Sequence, residues 1–250
     1  MDETPLSLPQ SSPEVDRMGF GATRWTLVMA AARGNESARA AEALAELCQT
    51  YWYPLYAFLR RRGHPTHEAE DLTQAFFARL LDRDFLATID RQKGKFRAYL
   101  LTSLKNYLAD EHDRARTQKR GGGHSAVSLD ALDAEKRYLL EPSHDISPEK
   151  LFEKQWALSI LERALNRLQG EWTAAGKGSL FELLQPTLVG GQATRYEEIA
   201  RQQATTEGAI KSAAHRLRLR YRELLIDEIS QTVTSPAEVE GEIRYLMSCL

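Results

Sequence analysis

Cysteine is almost missing from this chain. Cys48 and Cys249 are the two present in 250 residues, too far apart to form a disulfide framework and without zinc-ligand spacing. A reducing, cytoplasmic setting fits that usage. No stretch approaches the roughly 18–20 consecutive apolar residues of a membrane span, so no membrane insertion is expected. The first residues, Met1 to Pro5, are acidic and lack an apolar run, unlike a signal peptide. Sustained alternation of apolar and polar residues is missing too, which leaves an all-α fold as the expectation. Catalytic signatures are equally scarce. There is no nucleophile elbow, dinucleotide fingerprint or paired-carboxylate motif, so an enzyme has little to rest on. Gly170 to Gly178 imitates a phosphate loop with one residue too many and no Ser or Thr after Lys177. His64 and His67 flank Pro65, which breaks the helical pairing a metal would need. The expectation is therefore no catalytic residue, no metal and no cofactor.

A net charge of only -2 announces no nucleic-acid partner by itself, but that charge is unevenly spread. Residues 91–120 carry nine Lys and Arg against three acids, whereas residues 223–250 carry six acids against Arg244 alone. Such segregation presents different faces to different partners.

The chain has length for two domains of roughly 100–150 residues. Residues 1–22 are read as a disordered N-terminus rich in Pro, Ser and acids. A first helical domain is expected over 23–120. Within it, 41–62 carries an apolar stripe from Leu44 to Leu59, with Pro54 forcing a kink or restart. Residues 67–82 turn Ala69, Leu72, Phe76, Phe77 and Leu80 inward and leave Glu68, Asp71 and Gln74 outward. A third helix runs from Lys95 to about Asp113. Residues 121–147, with three consecutive glycines and no sustained periodicity, are read as a flexible linker. A second domain is expected over 148–230, opened by Ser147 as N-cap and Pro148 as first helical residue. Residues 231–250 form an acidic C-terminal extension, with Ser235 to Glu238 as a capping box and Val239, Ile243, Leu246 and Leu250 on one face.

Within the second domain, Thr194 and Glu197 form a capping box for a short helix through Ile199 and Ala200. A polar break at Gln202 to Ala204 follows, and a second start at Thr205 or Thr206. In the longer helix beyond, Ile210, Leu217, Tyr221 and Leu224 make an apolar stripe, while Lys211, His215, Arg218 and Arg222 share another face. Two helices joined tightly, the second basic, read as a helix-turn-helix. An ordinary core helix with a solvated charged face is the plainer alternative. Residues 207–222 hold five Lys and Arg against Glu207, which favours DNA. The run from Lys93 to Arg120 also mixes cations with Phe96, Tyr99 and Tyr107, a combination suited to single-stranded nucleic acid. For Phe96 and Tyr107 a place in the core is an equal reading.

Three motifs in order resemble a known family. Glu68-Ala-Glu-Asp-Leu-Thr-Gln-Ala-Phe-Phe-Ala-Arg-Leu-Leu81 is similar to region 2.2 of bacterial sigma-70-family factors, especially the extracytoplasmic-function (ECF) group. Lys95-Phe-Arg-Ala-Tyr-Leu-Leu, with Asn106 and the stretch from Asp110 to Arg120, resembles regions 2.3 and 2.4. Tyr196-Glu-Glu-Ile-Ala, Thr206-Glu-Gly-Ala-Ile-Lys-Ser and His215-Arg-Leu-Arg resemble region 4.2. The resemblance implies a region 2-like bundle and a region 4-like helix-turn-helix domain, serving promoter-directed transcription initiation. Its implied partners are core RNA polymerase, through the β′ clamp helices and β flap, and promoter DNA, with an anti-sigma factor or other regulator beyond these. Glu70, Asp71 and Gln74 are implied to meet the polymerase. Lys95, Arg97, Tyr99, Lys105, Asn106, Arg114, Arg116, Lys119 and Arg120 are implied to melt and read the −10 element. Glu207, Lys211, Ser212, His215, Arg216, Arg218 and Arg222 are implied to read the −35 element. The chain departs from the pattern at Ala75, where an acid is common, and at Gln203-Ala204, where Leu-Gly is usual. A conventional helix-turn-helix regulator, or a sigma-derived interaction module without promoter activity, are the competing readings.

Overall fold

The computed structural model describes residues 38–80, 95–117, 129–141, 146–188, 196–233 and 235–250. All regular structure among them is helical: α1 (Ala38–Arg61), α2 (Thr66–Leu80), α3 (Phe96–Thr117), α4 (Leu129–Leu139), α5 (Pro148–Ala174), α6 (Gly178–Leu184), α7 (Tyr196–Gln202), α8 (Glu207–Ser230) and α9 (Pro236–Ser248), with a 3₁₀ turn at Gln185–Leu188. None of these helices is long and apolar enough to cross a membrane.

Helix α1 is central to a first hydrophobic cluster. Leu55, Tyr56, Ala57, Phe58 and Leu59 are all fully buried, so this stretch is enclosed on every side rather than along one stripe. That enclosure explains Pro54. The proline removes one amide donor, but surrounding helices fix the backbone, and α1 runs unbroken through it without the expected restart. Around α1 pack α2 through Phe76, Phe77 and Leu80, α3 through Phe96, Leu100 and Leu104, and the first half of α5 through Leu151, Phe152, Trp156 and Ile160. Phe96 and Tyr107 are thus core residues, 2% and 8% exposed.

The second cluster gathers Ala164 and Leu168 of α5, Phe181 and Leu184 of α6, Ile199 and Ala200 of α7, and Ile210, Ala214, Leu217 and Leu224 of α8. Helix α5 therefore threads both. Its start is as expected: the Ser147 side chain accepts from the Lys150 amide at 3.2 Å, and Pro148 follows. At 27 residues it is about 40 Å long, and the two clusters lie along its two halves. A buried carboxylate reinforces the junction. Glu228, at the end of α8, accepts from Arg163 at 3.1 Å and from Arg167 at 2.7 Å, and Arg163 also reaches Glu46 of α1.

Two expectations need correction. The stretch 121–147 is not irregular throughout, because Leu129–Leu139 is helical and attached. Glu135 takes both a two-pronged contact from Arg60 (2.8 and 2.7 Å) and the Tyr56 hydroxyl at 2.5 Å. Alternating acids and leucines masked Ala134, the buried position among the helix's described side chains. Ser235 does occupy the N-cap of α9 but makes no side-chain capping bond there. The Glu238 amide is instead taken by the Ser235 carbonyl at 3.1 Å. The capping box expected at Thr194 lies outside the described residues.

Candidate nucleic-acid interface

The helix-turn-helix forms where the polar break was expected. Helix α7 ends in a compact turn in which the Gln203 amide donates to Ile199 O (2.9 Å) and the Thr205 amide to Ala200 O (2.9 Å). The six-residue closure places Ala204 at φ 48°, the left-handed region that usually demands glycine. Thr206 then caps α8, its hydroxyl accepting from the Ala209 amide at 3.2 Å. With Ile210, Ala213, Ala214 and Leu217 turned inward, Glu207, Lys211, Ser212, His215, Arg216, Arg218 and Arg222 all stand exposed. Their roles are not equivalent. Arg218 donates to the Tyr196 hydroxyl at 2.9 Å, bracing α8 on α7. Arg220 is held by Glu171 at 2.8 and 2.7 Å and is committed to structure. Lys211 pairs with Glu207 at 2.8 Å one turn earlier, and that hydrogen bond raises its pKa.

The residues from the start of α3 are placed quite differently. Arg97 is 7% exposed. Its guanidinium lies between the Trp156 ring (4.7 Å) and the Tyr245 ring (4.2 Å). Glu242 of α9, 1% exposed, forms ion pairs with both Arg97 and Lys95. Burial, with Arg97 nearby, pulls the Lys95 ammonium below its usual range. Lys105 is paired with Glu149 at 2.8 Å, at the start of α5. Asn106 is exposed and Tyr99 half-buried, the phenol pushed up by burial. Arg114 and Arg116 belong to the last turn of α3, with side chains outside the described set, and Lys119 and Arg120 fall outside it altogether.

Tyr99 and Asn106 do meet at a common feature. With Phe76, Arg79, Ser103, Tyr107 and Asp110 they line an open cleft of about 200 Å³ between α2 and α3. Arg79 spans it, 3.2 Å from Asp110 and over the Tyr107 ring at 5.6 Å. A flat ring flanked by a guanidinium, an amide and a carboxylate suits a stacked, hydrogen-bonding planar group. Arg79 was missed in the sequence because it reads as the last outward residue of α2. Glu242 was missed as well, although its spacing from Val239 and Leu246 already puts it on the inward face of α9.

On α2, Asp71 and Gln74 are exposed as expected, and so is Ala75. Glu70 is not. It is 4% exposed and accepts from the Gln74 side chain at 3.2 Å, so it braces the exposed pair instead of standing beside it. Among the described residues no group of three or more His, Cys, Asp or Glu is gathered as a metal would require.

Comparison with known proteins agrees with this layout. Residues 47–119, from α1 to just beyond α3, match the sigma-70 region 2 family. The ECF RNA polymerase sigma factor SigE of Mycolicibacterium smegmatis is 27% identical over 190 residues, covering 76% of this chain. The chain spans 64% of the length of that relative. No solved structure matches. A region 2 match followed by a helix-turn-helix, with a relative aligned across most of the chain, makes this chain similar to sigma-70-family factors of the ECF group.

Proposed function

We propose that this chain is a promoter-specificity subunit: it binds core RNA polymerase, directs it to promoters and performs no covalent chemistry itself. The observation that carries the reading is the region 2 match over residues 47–119 joined to a helix-turn-helix whose cations face solvent. Helix α8 enters the major groove of the −35 element, with Lys211, Ser212, His215 and Arg216 near its start and Arg222 towards the backbone. Tyr99 and Asn106 of the cleft, together with Lys95, Arg97 and Lys105, take the opened −10 strand. Arg114, Arg116, Lys119 and Arg120 extend that basic track. Asp71 and Gln74, supported by Glu70, dock on the β′ clamp helices, and the helix-turn-helix domain on the β flap. The division into a region 2-like domain, a linker and a region 4-like domain serves the two contact points. An anti-sigma factor is a fitting regulator, and the cytoplasm, where the polymerase works, is the place of action.

The test is run-off transcription with core polymerase on a promoter library. Promoter-dependent transcripts are expected, lost with Asp71→Ala and reduced with Lys211→Ala. Both side chains are exposed, so the melting temperature should hold. Polymerase-independent duplex binding would point to a conventional helix-turn-helix regulator. No dependence on DNA at all would point to an interaction module.

A further inference from the structure

Helix α9 occupies the cations that the proposed function needs free. We infer that α9 is an intramolecular competitor of the −10 strand, its Glu242 carboxylate holding Lys95 and Arg97 where a phosphate would sit. This deepens the reading above and rests on it. Four observations support it. Glu242 is nearly fully buried yet reaches both cations, so its charge is spent on them rather than on water. Tyr245, one turn on, covers the same two cations, at 4.2 Å from Arg97 and 5.5 Å from Lys95. The helix is anchored by Val239 and Leu246, which join Ile229 and Val233 in the first cluster. Arg97 also lies over the Trp156 ring of α5 at 4.7 Å, a contact made without α9.

A carboxylate and a phosphate diester are both single anions offering oxygen acceptors to a guanidinium. DNA and α9 therefore compete for the same site. A buried ion pair is also a poor way to gain stability, because desolvating both charges offsets most of their attraction. A contact that holds a helix firmly but costs little to exchange for another anion suits a releasable cover better than a permanent staple.

The experiment uses the full chain and two independent variants. Glu242→Lys places a cation against Lys95 and Arg97. Leu246→Ser loosens α9 from its apolar side, leaving every charge in place. Hydrogen exchange reports whether residues 236–248 lose protection while α8 keeps its own. Fluorescence anisotropy then measures a short single-stranded DNA oligonucleotide across a salt series. Each variant should expose α9 and bind about tenfold more tightly near 0.1 M salt. The dependence of log K on log salt should steepen by about 1.4, roughly 0.7 for each freed cation. Adding Lys95→Ala and Arg97→Ala to Leu246→Ser should abolish the gain. An α9 that is exposed without any gain in affinity overturns the inference, and so does an α9 that stays protected in both variants. The outcome is separable from the broader reading. Promoter-dependent transcripts with unchanged oligonucleotide binding would sink the cover alone, whereas absent transcripts would sink the promoter function whatever α9 does.

Discussion

The two cationic faces of this chain have similar composition and opposite states. On α8, Lys211, His215, Arg216 and Arg222 stand in solvent, and the arginines used for structure, Arg218 and Arg220, are held by α7 and α5. At the start of α3, Arg97 is buried under α9, the half-exposed Lys95 is paired with the same Glu242, and Lys105 is tied to Glu149. Charge counts alone do not tell these apart, since both stretches are strongly basic. What differs is whether an acid from elsewhere in the chain reaches them. The six acids of residues 223–250 are not a diffuse counter-charge, because Glu242 is aimed at one face and Glu228 is spent on the α5 arginines. A net charge of -2 thus conceals one cationic face open to solvent and another already occupied.

The harshest challenge to that contrast is Trp156→Ala. Trp156 is fully buried, donates to the Tyr51 hydroxyl at 3.1 Å and stacks on Arg97, so it belongs wholly to the occupied face. Truncation should cost about 3–5 kcal/mol in denaturant unfolding. Because α5 threads both clusters, α3 and α8 should lose protection together in one transition. Two separated transitions would mean that the faces are energetically independent, and the contrast would then be one between domains rather than within one folded unit.

A smaller effect is expected from Glu135→Gln on α4. The substitution removes half of a two-pronged contact with Arg60 and weakens the Tyr56 bond, at about 1.5–3 kcal/mol for bonds to a charged group. The sign of the pH dependence follows from the direction of the shift. Hydrogen bonding from Arg60 holds the Glu135 carboxyl below its ordinary 4.5. Its contribution is therefore complete above that value and is lost as pH falls through the depressed folded value. Wild type and variant should differ in melting temperature at pH 7 and converge in acid. A gap that does not narrow at all as pH falls below the ordinary carboxyl range would show that the clamp does not depend on the ionised carboxylate.

The sequence made one face more legible than the other for a physical reason. The α8 side is built from contacts a few residues apart: the Thr206 cap, the stripe at Ile210 and Leu217, and the turn between α7 and α8. Periodicity and capping rules act over that range. The α3 side depends on contacts between distant parts of the chain, such as Arg97 with Glu242 and Trp156 with Tyr51. Periodicity placed Phe96 and Tyr107 on a stripe without deciding between core and interface, and it had no means of pairing α3 with α9. The helix at 129–139 escaped notice for a similar cause. Its described polar contacts are to Arg60, Tyr56 and the ring of Tyr53 under Arg137, all distant in the sequence. Glu70 shows the limit within one helix, since only packing revealed that it lies inward of Asp71 and Gln74.

The smallest expected effect sits in the turn of the open face. Ala204 adopts φ 48°, where a Cβ crowds the following carbonyl and costs roughly 1–2 kcal/mol. Glycine removes that strain but adds freedom to the unfolded chain, which gives back about 0.4–1 kcal/mol. Ala204→Gly should therefore stabilise by about 0.5 kcal/mol and raise the melting temperature by about 1–2 °C. Differential scanning calorimetry can resolve that, and hydrogen exchange should place the gain in α7 and α8 and not in α9. A lower melting temperature would mean that Ala204 carries no left-handed strain. Affinity for a duplex is the sharper readout. The turn fixes the angle between α7 and α8, but the exposed side chains of α8 keep their positions whichever residue fills it. Stability should rise with duplex binding unchanged, because a face that is already open has nothing to release.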